Sequence, residues 1–373
     1  MLLGAGLAGC GSRVPARIDP SAPPAALAQQ PRHVFLIVLE NEPYQVTFGE
    51  RSPAPYLAHV LPGRGALLTQ YFATGHYSLD NYIAMISGQG PDHDTQRDCH
   101  VYAPFRRSAP GLDANGQIHG NGCVYPADVK TLANQLQDAG FGWRGYMEDM
   151  GADPSREAST CGHVQLGAID RTGVSTARDR YADKHDPFVY FHSIIDDHAN
   201  CAAHVVNLDQ LPRDLESIAT TPNFAFITPN LCHDGHNAPC KDGEPGGLVS
   251  ADKFLREWVP RITASPAFKA DGVLIITFDE GTDASACCGE TSPRGAPWPG
   301  VFGPGGGRIG AVVLSPFVKP GTVSDVPYNH YSLLRSIEDW FGLPHLGYAG
   351  QHGLQGFGTD VFDHDTVALG TTP

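Results

Sequence analysis

Four runs of the chain, residues 33–39, 223–228, 272–278 and 309–315, are dominated by Val, Ile, Leu, Phe and Ala, with little alternation of apolar and polar positions. A strand with one wet face must alternate, so continuous runs of this length fit strands covered on both faces, as in a parallel sheet between helices. Helical stretches fall between the runs. One opens after Ser78, through Asn81 to Ile86, and others cover 128–138, 251–262 and 330–341. This alternation predicts an α/β protein, a three-layer α/β/α sandwich around a central, mostly parallel sheet. A length of 373 residues fits one large domain or two. With no second-domain linker or internal repeat visible, residues 32–373 are expected to form one domain. Segments 88–127 and 281–308 are rich in Gly, Pro and Cys without periodicity, and are expected to be long, disulfide-stapled loops at a functional rim.

The chain carries a formal charge of −15, and no basic stripe interrupts it. A nucleic-acid-binding role is therefore not expected. Residues 1–10 form a short apolar run ending in Leu7-Ala8-Gly9-Cys10, which resembles the lipobox of bacterial lipoproteins and implies that Cys10 is lipidated after cleavage. The run is too short to span a bilayer, so any membrane contact is expected only through such an anchor. Residues 11–31, rich in Ala and Pro, suit a flexible tether. Setting Cys10 aside leaves eight cysteines in a chain that reads as exported, whether periplasmic, membrane-anchored or secreted. Disulfides are expected. Four bridges admit 105 connectivities, of which Cys99–Cys123 and Cys232–Cys240 are the local candidates. Adjacent Cys287 and Cys288 are expected to bond to different partners rather than to each other.

Open parallel sheets place their sites at the carboxyl ends of the strands. Here the first run ends in Glu40-Asn41, the second leads to Asn230 and Asp234-Gly235-His236, and the third ends in Asp279-Glu280. Ser78 precedes a helix, and Asn329-His330 opens a late one. Hydrolysis of a phosphate ester needs an in-line nucleophile, positive charge on the phosphoryl oxygens and help for the departing oxygen. Ser78 is the candidate nucleophile, and Asn81, one turn on, can donate its amide to a phosphoryl oxygen. Glu40, Asn41, Asp279 and Glu280 supply hard oxygen ligands that, with Ser78, suit one Mg²⁺, Ca²⁺, Mn²⁺ or ferric ion. His236 and His330 are then free to contact the phosphoryl group or assist the leaving group. Alternatively, Asp234, His236 and His330 hold a second metal, most naturally Zn²⁺. His185, in Lys184-His185-Asp186-Pro187-Phe188, either reaches the rim of the site and its phosphate or sits in a salt-linked surface loop.

Each residue also has an ordinary reading. A carboxylate at a strand end is often a helix cap, a Ser before a helix is most often an N-cap, and any one of 17 histidines is a poor bet. The joint pattern carries the weight. The glycine-rich 303–308 lacks the strand and Lys-Ser/Thr of a phosphate-binding loop and reads as a turn. The His198–His204 run, with Cys201, reads as structural.

Leu39-Glu40-Asn41, Ser78-Leu79-Asp80-Asn81-Tyr82, Pro229-Asn230 leading to Asp234-Gly235-His236, Thr277-Phe278-Asp279-Glu280 and Asn329-His330-Tyr331-Ser332-Leu333-Leu334 together resemble the bacterial phosphoesterase family. That family groups secreted acid phosphatases with phosphatidylcholine-type phospholipases C in the alkaline-phosphatase-like superfamily, and the resemblance spans roughly residues 32 to 345. It implies a phosphoenzyme-type route with Ser78 as nucleophile, Glu40, Asn41, Asp279 and Glu280 as ligands, and His236 and His330 around the phosphoryl group. Two-metal members carry an Asp-His pair where Asp279-Glu280 stands here. This departure favours one ion, with Asp234 behind the ligands. The compact length resembles the phosphatase branch, including the phosphoinositide phosphatase type. The resemblance thus implies an exported phosphomonoesterase acting on phosphorylated small molecules. The alternatives are a phospholipase C cleaving phospholipid headgroups and a non-enzymatic surface lipoprotein that binds phosphorylated ligands. A sulfatase is disfavoured, since no Cys-x-Pro-x-Arg segment is present.

Overall fold

The computed structural model describes residues 30–289 and 304–363. Cys10, segment 1–10, almost all of the 11–31 tether and part of loop 281–308 lie outside the described residues. An eight-stranded sheet forms the centre. In chain order its strands are β1 (His33–Leu39), β2 (Ala66–Leu68), β3 (Trp143–Met147), β4 (Val205–Asn207), β5 (Phe224–Thr228), β6 (Gly272–Phe278), β7 (Ala311–Leu314) and β8 (Thr322–Ser324). They lie side by side as β8-β2-β7-β6-β1-β5-β3-β4. β7 runs antiparallel to both of its neighbours, and every other pairing is parallel. The sheet is therefore mostly parallel, as its apolar runs require.

Burial explains the pattern. Every residue of β1, β5 and β6 is buried, so no position along these strands can be polar for solvent's sake. β1 is the hinge of the arrangement, with β6 on one side and β5 on the other. Helices form the outer layers. Helix α1 (Ser78–Ser87) packs with α2 (Leu132–Asp138) and α4 (His330–Phe341), while α3 (Gly247–Ala264) packs with the following turn Pro266–Asp271 and with β6. All ten residues of α1 are buried, which removes the polar face expected of a surface helix. It ends at Gly88, whose φ of +65° closes the last turn. A Cβ there would lie 2.1 Å from the Leu346 carbonyl oxygen, so only glycine lets the loop after α4 pass.

The bridges are Cys99–Cys123, Cys161–Cys201, Cys232–Cys240 and Cys287–Cys288. Both local candidates are present. The expectation that Cys287 and Cys288 choose different partners is corrected: the other six described cysteines pair among themselves, and the two neighbours close on each other. Cys99–Cys123 ties down the 88–127 segment, whose hairpin pairs Arg106–Leu112 with Ile118–Asn121. No helix among the described residues is long and apolar enough to cross a membrane.

Candidate active site

Three adjacent strands, β6, β1 and β5, deliver acidic residues to one end of the sheet. The Asp279 amide donates to the Leu39 carbonyl, and the Glu40 amide to that of Asp234, both at 2.8 Å, so the three loops are stitched together as they leave the strands. Asn41 has φ +59°, and this turn aims its backbone N–H at Asp279 Oδ1, 2.8 Å away. Its side-chain amide donates to Glu40 Oε2 at 2.9 Å.

Ser78 reaches the same carboxylate from α1. Its hydroxyl donates to Glu40 Oε2 at 2.8 Å, and the Tyr82 hydroxyl donates to Oε1 at the same distance. Positions 78 and 82 share a helix face, which is why one turn of α1 can hold both oxygens. His185 Nε2 lies 3.2 Å from Oε1, with its ring stacked on Tyr82 and its Nδ1 3.6 Å from Asp234 Oδ2. Burial would raise the Glu40 pKa, but contact with His185 and the Lys184 charge hold it below the usual carboxylate range. Burial also pushes the His185 pKa down, which makes Lys184 the firmer of the two counter-charges. Lys184 itself donates to Asp98 Oδ2 at 2.7 Å, while Asp98 Oδ1 accepts the Leu79 amide at 3.1 Å.

The remaining carboxylates are in the opposite situation. Burial, then the Glu40 charge, pushes Asp234 and Asp279 well above the usual carboxylate range. Asp279 Oδ1 accepts two backbone N–H groups, yet Oδ2 is buried without a partner, and so is Asp234 Oδ2. Glu280 is turned aside: His76 Nδ1 and the Tyr77 amide both donate to its Oε2. Glu40, Asp279 and Glu280 accordingly do not bring three oxygens within 4.8 Å of one another. The described triads that do so all use Cys232, whose sulfur is already bonded to Cys240 and is no ligand.

These donors fit a hard cation. They are oxygens, they carry excess negative charge in a buried place, and two of them face inward unsatisfied. Glu40, Asn41, Ser78 and Asp279 would hold the ion, and Glu280 would join them by giving up His76.

Several sequence expectations are redirected. Asn81 Oδ1 accepts from the amides of Thr74 and Gly75 and from the Thr74 hydroxyl, and its Nδ2 donates to the carbonyls of Gly75 and Tyr77. All of its capacity goes into shaping the loop before Ser78, so it does not face a phosphoryl group. His330 is wholly buried, with Nε2 2.7 Å from the Asp279 carbonyl oxygen and Nδ1 3.2 Å from the Tyr71 hydroxyl. A carbonyl only accepts, so Nε2 carries the proton. Burial lowers the ring's pKa to about 4, and it is neutral. His330 braces the Asp279 backbone. His236 is exposed, with Nδ1 3.0 Å from Asn237 Oδ1, near enough for its charge to act on Glu40. Asp234, His236 and His330 thus point to three different places and form no second metal set. His185, expected at a rim, is buried against Glu40.

The sequence motifs contain His76, Tyr82 and Lys184 but assign them no role, and Asp98 lies outside every motif. Tyr82 was legible from its four-residue spacing to Ser78; the others sit in loops whose course only the fold reveals. Tyr77 is also notable, with φ +76° immediately before the serine, a strained setting for a residue with a large side chain.

The fold defines the class first. The chain shares the architecture of a Vibrio parahaemolyticus protein of the alkaline phosphatase superfamily, with a TM-score of 0.51 at 13% identity over 92% of this chain and 76% of that one. The family follows from sequence: residues 51–344 match the model of the Phosphoesterase family, and the chain belongs to that family. Ser78, Asp234, Asp279, Glu280 and His330 fall inside the match, while Glu40 and Asn41 precede it. The chain is 25% identical to a probable acid phosphatase of Kluyveromyces lactis over 85% of its own length and 59% of the relative's. It is 24% identical to a phosphatidylinositol-3-phosphatase of Mycobacterium tuberculosis over 85% of its length and 79% of the relative's. The chain thus spans little more than half of the yeast and fungal acid phosphatases it matches.

Proposed function

We propose that the chain is a metal-dependent phosphomonoesterase of the acid phosphatase type, with Ser78 as its nucleophile. One observation carries this reading: the Ser78 hydroxyl is bonded to the ionised Glu40 at the first turn of a buried helix, beside a carboxylate with an unsatisfied inward oxygen. Family membership and the phosphatase relatives support it.

Glu40 orients the Ser78 oxygen by accepting a hydrogen bond from its hydroxyl, and Asn41 and Tyr82 fix the carboxylate so that this bond has one direction. When bound, a metal ion supplies positive charge that lowers the serine pKa and neutralises the phosphoryl oxygens. Lys184 adds a fixed positive charge whose field reaches Glu40 and Asp279. Asn81 and His330 keep the serine loop and the Asp279 backbone in place. His236, exposed in the loop after β5, is the imidazole proposed to assist the leaving oxygen. Residues 32–373 would form one catalytic domain. Export is supported by the disulfides, and Cys10 remains the proposed lipid-bearing residue.

The test offers metal-loaded protein and its Ser78→Ala variant an aryl phosphate and phosphatidylcholine side by side. Inorganic phosphate from the aryl ester, lost by a thousandfold or more in the variant, supports the proposal. Phosphocholine release would move the protein to phospholipase C, and turnover equal in both proteins would remove Ser78 from the chemistry.

A further inference from the structure

A cavity of about 510 Å³ lies against the outer wall of the site. The wall is the Asp98–Lys184 pair, and it is shared: Asp98 Oδ1 holds the amide of Leu79, the residue after the candidate nucleophile, while Lys184 lines the cavity and acts on Glu40. The path from the Ser78 hydroxyl through the Leu79 amide to the Asp98 carboxylate is roughly 9 Å long, which sets the upper limit on the separation of the serine oxygen from this wall of the cavity.

Its charge is unusual for this chain. Three cations, Arg97, Arg171 and Lys184, face two carboxylates, Asp98 and Asp170, a net of +1 in a protein of −15. Both carboxylates are already engaged. Asp98 is spent on Leu79 and Lys184, and Asp170 Oδ1 accepts from the Thr172 amide and hydroxyl at 2.7 and 2.8 Å. Arg97 and Arg171 make no ion pair among the described residues, and both, like His100, are exposed residues that line the cavity. Ile169 and Val174, 49% and 68% exposed, border the same hollow and leave a hydrocarbon surface beside the charges. Guanidinium groups bind phosphate oxygens in pairs, and two of them flanking a cavity of this size match one tetrahedral anion with the carbon skeleton that carries it.

We propose that this cavity is the subsite for a second anionic group on a soluble phosphomonoester whose first phosphoryl group is cleaved at Ser78. The proposal rests on the phosphomonoesterase reading and narrows its substrate class to compounds with two anionic groups about one sugar length apart. Cys99–Cys123 holds the segment bearing Arg97 and His100 against the site, which gives that disulfide-tied loop a role in selection.

Fructose 1,6-bisphosphate and fructose 6-phosphate serve as probes, differing in the second anion. kcat/KM is measured for both on metal-loaded protein and on the Arg97→Ala/Arg171→Ala double variant. Their dissociation constants are measured by calorimetry on the Ser78→Ala protein with and without the same two changes. The expected result is a bisphosphate preference that drops at least tenfold in the double variant, through KM rather than kcat, and is largely restored by Arg97→Lys/Arg171→Lys. A bisphosphate-to-monophosphate ratio that stays the same overturns the subsite. If the parent protein turns over neither sugar nor the aryl phosphate, the catalytic reading fails, and the calorimetric ratio still decides the subsite by itself.

Discussion

Glu338 sits in α4 with its carboxyl wholly buried; Oε1 accepts the Leu346 amide at 2.9 Å and Oε2 has no partner. Burial, only partly relieved by that amide, raises its pKa from 4.5 to about 9. The folded protein therefore keeps a proton that the unfolded chain releases above pH 4.5, and stability falls as pH rises from 4.5 towards 9. At pH 7 the two and a half pH units elapsed, at about 1.4 kcal/mol each, amount to an upper figure of about 3.5 kcal/mol. Glu338→Gln preserves the acceptor for Leu346 and removes the titration. Urea unfolding of both proteins at pH 4.5, 6, 7 and 8 should show near equality at the acid end, with the variant gaining up to about 1.4 kcal/mol per unit above it. Other buried acids titrate in the same range, so the difference between the two proteins is the quantity to follow. A difference that stays constant from pH 5 to 8 would mean that the carboxyl is ionised in the fold, and the burial argument would be wrong.

Asn81→Ala strips an acceptor from three donors and a donor from two carbonyls, and should cost about 3 kcal/mol of stability in thermal unfolding, with catalytic loss accompanying it. His330→Phe removes the brace on Asp279 without removing a group that faces substrate; kcat should fall more than tenfold with KM for an aryl phosphate nearly constant, and a raised KM alone would contradict the bracing role. Cys99→Ser with Cys123→Ser opens a loop of 24 residues' separation and should lower stability by about 3 kcal/mol in denaturant titration. Adding Mn²⁺ or Mg²⁺ to chelator-treated protein should raise its Tm, by an amount equivalent to about 2.7 kcal/mol at a hundredfold excess over Kd, and Asp279→Asn should abolish the shift.

The sheet was legible where burial is symmetric. β1, β5 and β6 are covered on both faces, so continuous apolar sequence is their direct signature. The edge strands β4 and β8 and the inner strand β2 are three residues each, too short for any period, and β3 contains Arg144, whose side chain runs to Asp214. The carboxylates were legible because strand ends fix where the chain turns. Direction was not. Asn81 and His330 have the right chemistry for a phosphoryl contact, and only the course of the loops shows that their polar atoms are consumed by Thr74, Gly75, Tyr77, Tyr71 and the Asp279 carbonyl. Residue type limits what a side chain can donate, while packing decides to whom. The Cys287–Cys288 bridge follows the same logic, since a cysteine's partner depends on which sulfurs the fold has already claimed.

The site is best understood as an electrostatic imbalance held in place by a well-packed scaffold. Glu40, Asp234, Asp279 and Glu280 converge from three neighbouring strands, and among the described residues His76, His185, His236 and Lys184 stand against them. Glu40 wins that compensation: two neutral donors besides Ser78 fix it, and His185 and Lys184 keep it charged. Asp279 and Asp234 lose it, and a buried carboxyl with an idle oxygen costs stability that the nonpolar strands β1, β5 and β6 must supply. An arrangement that expensive is not a packing solution, because apolar residues of similar volume would be cheaper. The cation of the proposed metal site would offset that cost beside the Ser78 hydroxyl that Glu40 already holds. The cost of burying these carboxyls and the chemistry proposed for Ser78 are then two consequences of a single placement of charge.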